Sequence, residues 1–112
     1  MLQVKRENYD EEADGDDGYM LTFTYESDEV EFTFYPENTT KKWGKLADAI
    51  ESGGKYSIDW SPCNGECSID LENGRIAFNV AKHGDGRGGD LNVSIPAINT
   101  LSGFRMAHEL TK

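Results

Sequence analysis

Apolar and polar residues alternate from Leu21 to Phe34. Leu21, Phe23 and Tyr25 are separated by Thr22 and Thr24, and Val30, Phe32 and Phe34 by Glu31 and Thr33. A period of two marks strands with one buried face. A two-residue connection at Ser27-Asp28 pairs Tyr25 with Val30, Phe23 with Phe32 and Leu21 with Phe34. That register gathers the apolar residues on one side and leaves a Thr/Glu-rich face outside. Pro36 ends the second strand. The period then lengthens: Trp43, Leu46, Ala47 and Ile50 recur at helical intervals, with Lys41, Lys42, Lys45 and Asp48 on the other surface. A helix is predicted here, capped by Asn38, Thr39 or Thr40, stopped by Gly53-Gly54 and anchored on the sheet by Trp43.

Alternation resumes at Tyr56, Ile58 and Trp60. Cys67, Ile69 and Leu71 lead to Asn73-Gly74, and Ile76, Phe78 and Val80 return. Asn-Gly favours a two-residue hairpin turn, so Leu71 faces Ile76, Ile69 faces Phe78 and Cys67 faces Val80. Glu72 and Arg75 flank the turn with opposite charges. A sixth strand carries Leu91, Val93 and Ile95 inward and stops at Pro96. The last helix runs from Ile98 or Asn99 to Leu110, turning Ile98, Leu101, Phe104 and Ala107 or His108 toward the sheet; Gly103 weakens it. The order ββαββββα predicts an α+β fold, a six-stranded, mostly antiparallel curved sheet with two helices packed on one face.

Charge changes this picture at one end. Residues 1–37 hold twelve acids against Lys5 and Arg6, while residues 38–112 hold nine acids and nine bases; the whole net charge of −10 therefore sits in the first third. With Gly15 and Gly18 interrupting its acidic run, residues 1–18 read as an acidic flexible N-terminal arm. Residues 19–112 read as a single α+β domain. An acidic balance disfavours direct nucleic-acid binding, which needs cationic surface, and repels anionic membrane. No run approaches the roughly 20 apolar residues of a membrane span. The first residues carry no signal-peptide pattern, so the expected location is cytoplasmic.

Candidate chemistry is sparse. An EF-hand loop starting at Asp10 would need a bidentate acid where Leu21 stands. Cys63, Cys67, His83 and His108 supply four zinc-type donors, but without the close pairing of zinc modules. Cys63 and Cys67 could form a disulfide or stay reduced, and an inward Cys67 reads best as a core residue. No metal and no cofactor is expected. The segment His83–Asp90 is rich in glycine, and His83, Asp85, Arg87 and Asp90 could meet a ligand or partner; it matches neither a P-loop nor a dinucleotide fingerprint.

These observations favour a non-catalytic protein-protein interaction module with an acidic binding face, regulatory or inhibitory in character. Glu26, Glu29, Glu31 and Tyr35 form that face, with Asp14, Asp16 and Asp17 beside it. The expected partner is a protein with a basic surface, or a second copy through self-association. The alternatives are a nucleic-acid-mimicking inhibitor, a structural or homo-oligomeric assembly protein, and a small enzyme using the His83–Arg87 loop.

Overall fold

A computed structural model describes residues 1–8, 19–36, 42–61, 65–82 and 89–111. Among these residues seven strands and two α-helices follow one another: β1 (Leu2–Asn8), β2 (Tyr19–Glu26), β3 (Glu31–Phe34), α1 (Trp43–Ser52), β4 (Tyr56–Trp60), β5 (Gly65–Glu72), β6 (Arg75–Lys82), β7 (Gly89–Pro96), a 3-10 turn (Ala97–Thr100) and α2 (Leu101–Leu110). The strands form two separate antiparallel sheets, β1-β2-β3 and β4-β5-β6-β7. This overturns the expected single six-stranded sheet. The break falls at α1, which separates β3 from β4. Aromatic rings join the two sheets instead: Phe78 of β6 lies 4.8 Å from Phe32 and 5.1 Å from Phe34.

The N-terminal residues correct a second expectation. Leu2–Asn8 is a strand and pairs along its whole length with β2, Leu2 opposite Tyr25 and Asn8 opposite Tyr19. Only Leu2 and Val4 follow the apolar alternation, and the next inward position is Arg6. Its guanidinium stacks 4.2 Å over the Tyr19 ring and donates to the Leu110 carbonyl at the end of α2. A cation whose apolar stem lies along an aromatic ring can occupy such a position. The remainder of the expected arm, residues 9–18, lies outside the described residues.

The first hairpin keeps its predicted faces but not its register. Phe23 stands opposite Phe34 and Tyr25 opposite Phe32, a displacement of two residues. The connection has four residues: the Ser27 amide donates to the Val30 carbonyl at 2.9 Å, and the Val30 amide to the Ser27 hydroxyl at 3.2 Å. A two-residue turn would need left-handed backbone that Ser27-Asp28 does not favour. A shift of two preserves the buried side, so alternation alone does not choose between the registers.

The second hairpin has the predicted register throughout, with Leu71 opposite Ile76, Ile69 opposite Phe78 and Cys67 opposite Val80. Asn73 and Gly74 both take positive φ, 53° and 75°, as the tight turn requires. The flanking charges find other partners. Glu72 pairs with Lys55 at 3.1 Å, and Arg75 bonds the hydroxyl and carbonyl of Ser94.

Helix α1 buries Trp43, Leu46 and Ala47, and Gly53 ends it at φ 75° with its amide on the Ile50 carbonyl. The proposed caps Asn38, Thr39 and Thr40 lie outside the described residues. Helix α2 buries Phe104 and Ala107, as its spacing predicts, but Ile98 is 67 % exposed. The cause is the 3-10 turn before it: three-residue spacing sends Ala97 and Thr100 inward and leaves Ile98 outside. His108 is exposed and rests its ring against Gly44 of α1 rather than on a sheet. Arg105 ties the helices through Asp48 and Glu51, surface pairs of small stabilising value.

Gly103 sits at a close approach between α2 and β1. A Cβ there would lie 2.7 Å from both the Leu2 carbonyl oxygen and Leu2 Cγ. Helix propensity alone favours Gly103→Ala by about 1 kcal/mol. The contact with β1 reverses that sign, because backbone must move. We expect Gly103→Ala to lose about 1–3 kcal/mol, read as a lower midpoint in urea unfolding; an unchanged or raised midpoint refutes the close approach.

Candidate functional site

The β2–β3 hairpin collects four carboxylates at one end. Glu26 and Glu31 stand directly opposite each other in the ladder, and Asp28 and Glu29 lie in the connection between them; all four are exposed. Like charges facing across a strand pair cost stability. Among the described residues no lysine or arginine pairs with them; Lys5 pairs with Glu7 on β1 at 3.3 Å, and the Met1 ammonium donates to the Glu26 carbonyl at 2.6 Å. Thr24 and Thr33 complete the outer face, their hydroxyls 3.4 Å apart. Tyr35 follows β3 and is 59 % exposed. The hairpin is held from beneath, where Phe23 stacks on Phe34 at 4.7 Å and Tyr25 on Phe32 at 5.4 Å. The acids therefore project from a fixed backbone.

Beside this tip the two sheets leave a cleft of about 280 Å³. One wall is β3, which contributes Phe32, Thr33, Phe34 and Tyr35 in succession. Neighbouring residues of a strand point to opposite faces, so a cleft touching all four runs along the strand's edge. That edge has no strand partner among the described residues. The floor is the apolar face of the four-stranded sheet, where Trp60, Cys67, Val80 and Leu91 form one row across the strands. Trp60 is covered, yet Val80 is 41 % and Leu91 60 % exposed. Both face the side predicted to be inward, but the three-stranded sheet does not extend over them.

Acids stand on the reverse of the sheet at this end. Glu66 and Asp90 flank Ala81 across β5, β6 and β7, one position from Cys67, Val80 and Leu91 in their strands. They line, with Asp59, a neighbouring hollow of about 520 Å³ at the end of the sheet. Among the described residues no group of three His, Cys, Asp or Glu side chains is placed to hold a metal ion. Cys67 sits in the cleft and His108 against Gly44, so these two proposed zinc donors occupy different parts of the molecule. The outer face of the same sheet is tiled by short polar side chains. There the Asp70 carboxylate accepts from Ser57 and Ser68 hydroxyls and from the Asn79 amide at 2.7, 3.0 and 2.8 Å. Its acceptors are used within the sheet.

Of the residues singled out in the sequence, Glu26, Glu29, Glu31 and Tyr35 share the hairpin. Asp90 is exposed at the start of β7. Asp14, Asp16, Asp17, His83, Asp85 and Arg87 lie outside the described residues, as does Cys63. The cleft itself was not foreseen. Its only linear signal is the apolar alternation of Val80 and Leu91 at strand ends, which looks identical whether the face is covered or open.

Cys67 is a free, partly buried thiol, and burial raises its pKa above the ordinary thiol value. A raised pKa lowers the thiolate fraction at a given alkaline pH, and the thiolate is the nucleophile. In a Cys63→Ser background, alkylation by iodoacetamide should run slower in the folded protein than in urea, with its rise displaced to higher pH. Equal pH profiles would contradict the placement of Cys67.

No helix among the described residues is long and apolar enough to cross a membrane. No curated protein and no solved structure matches the chain. A family model does match, over residues 29–105, a stretch that runs from the β2–β3 connection into α2 and contains the whole cleft. The chain belongs to that family, a family of unknown function designated DUF5766.

Proposed function

We propose that the protein is a non-catalytic binding module that receives a basic protein surface on the acidic end of its first hairpin. The observation that carries this reading is the Glu26–Glu31 pair. Two carboxylates are held opposite each other on a rigid ladder, with Asp28 and Glu29 between them and, among the described residues, no lysine or arginine paired with them; the Met1 ammonium at the same end bonds the Glu26 carbonyl. The arrangement costs stability and supplies a fixed negative field. Such a field speeds encounter with a cationic partner and discriminates against acidic ones. Tyr35, exposed past the other end of β3, adds a large amphipathic side chain of the kind enriched at interfaces. The net charge of −10 has the same sign, and a regulatory or inhibitory role fits a module of this kind.

Two measurements test the reading. Immobilised protein should capture a stoichiometric basic protein from the native lysate and release it between about 0.1 and 0.5 M salt as screening shortens. The triple variant Glu26→Gln, Glu29→Gln, Glu31→Gln should lose that protein, and retention unchanged by all three substitutions overturns the proposal. The single change Glu31→Lys separates function from folding. It should stabilise the hairpin by about 0.2–1 kcal/mol while weakening capture; a loss of stability would show that the pair carries no repulsion.

A further inference from the structure

The acidic hairpin and the open apolar floor adjoin one strand edge that has no strand partner among the described residues, and their combination specifies a ligand shape. A globular surface cannot enter a cleft of about 280 Å³, whereas the side chains of an extended strand can. A strand laid along β3 would meet an edge that pairs with no other described strand, where its backbone could add to the ladder. Its side chains would alternate between the floor formed by Cys67, Phe78, Val80, Leu91 and Val93 and the solvent side. The charge lies at one end of the edge, where Glu29 and Glu31 are exposed at the hairpin and Glu31 shares the outer face of β3. Basic residues at the alternate positions match it.

We propose that the cleft between β3 and the four-stranded sheet receives an extended segment of a partner protein, alternating apolar with basic residues, which adds as a fourth strand to the edge of β3. This rests on the reading of the chain as a binder of basic proteins and names the segment it recognises. The charge pattern selects a partner over a second copy. Two copies would each bring a net charge of −10, which opposes their association.

The probe is a peptide of about ten residues alternating valine and lysine, long enough for a β3-length ladder, with a valine–aspartate peptide as control. Titrations followed by fluorescence anisotropy at low salt should show one-to-one binding of the lysine peptide and none of the control. Amide exchange at Phe32–Phe34 should slow on binding, and Cys67 should be shielded from alkylation. Methylating alternate backbone nitrogens of the peptide removes ladder hydrogen bonds and should weaken binding about tenfold. The double variant Val80→Ser, Leu91→Ser, at exposed positions that folding does not need, should weaken it about as much; the methylated peptide gives the same answer without altering the protein.

Binding that ignores both changes but disappears in the triple glutamine variant overturns the cleft and leaves the acidic-face reading standing. Binding that ignores all of them overturns both. Absence of lysine-peptide binding, or equal binding of the aspartate peptide, overturns the cleft proposal. A doubled mass in solution, abolished by Val80→Ser, Leu91→Ser, makes a second copy the occupant and likewise overturns it.

Discussion

Phe23 is the residue through which the parts of this fold meet. Its ring lies 4.7 Å from Phe34 within its own sheet, 4.9 Å from Trp43 of α1 and 5.9 Å from Phe104 of α2. Trp43 and Phe104 stack on each other at 5.8 Å, almost parallel. Phe34 passes the contact on to Trp60 and Phe78 of the second sheet. In a chain of 112 residues one core must serve two sheets and two helices, and aromatic rings span the distance with few residues. Among the described residues no hydrogen-bonded ladder joins the sheets, and these rings, with the aliphatic side chains of the shared core, hold them together.

That constraint positions the candidate site. Phe32 and Phe34 are drawn onto Phe78, which brings β3 down at the border of the four-stranded sheet. The opposite face of the same strand then holds Glu31 and Thr33 toward solvent. A four-residue strand thus does two things at once: its inward side closes the core and its outward side displays charge. Beyond β3 nothing among the described residues covers Val80 and Leu91. The apolar floor, the free edge and the acidic tip are consequences of where one short strand stops.

Much of the site's chemistry was readable in the chain, because charge and exposure of a hairpin tip are local properties. Glu26, Glu29, Glu31 and Tyr35 follow from alternation together with the excess of acids. The ring of constraints around them was not readable. The register of the first hairpin depended on whether Ser27–Val30 would close a four-residue loop, and the alternating pattern fits both answers. Gly103 looked like a weak point in a helix and turns out to be the place where α2 meets the Leu2 backbone. A glycine's value as a close contact is visible only when the opposing chain is in place.

The sequence by itself determined which stretches are strands or helices and which side of each is apolar, for every element whose pattern was long enough. It also determined the second hairpin in full, since Asn73-Gly74 prescribes a turn and the flanking apolar residues agree with it. The tertiary structure alone decided that the strands divide into two sheets, that Leu2–Asn8 joins β2, and that Val80 and Leu91 remain open. The physical reason is one of range. Periodicity and turn chemistry act between neighbours in the chain, whereas sheet membership is set by which distant edge is free to pair and which apolar face lies within reach.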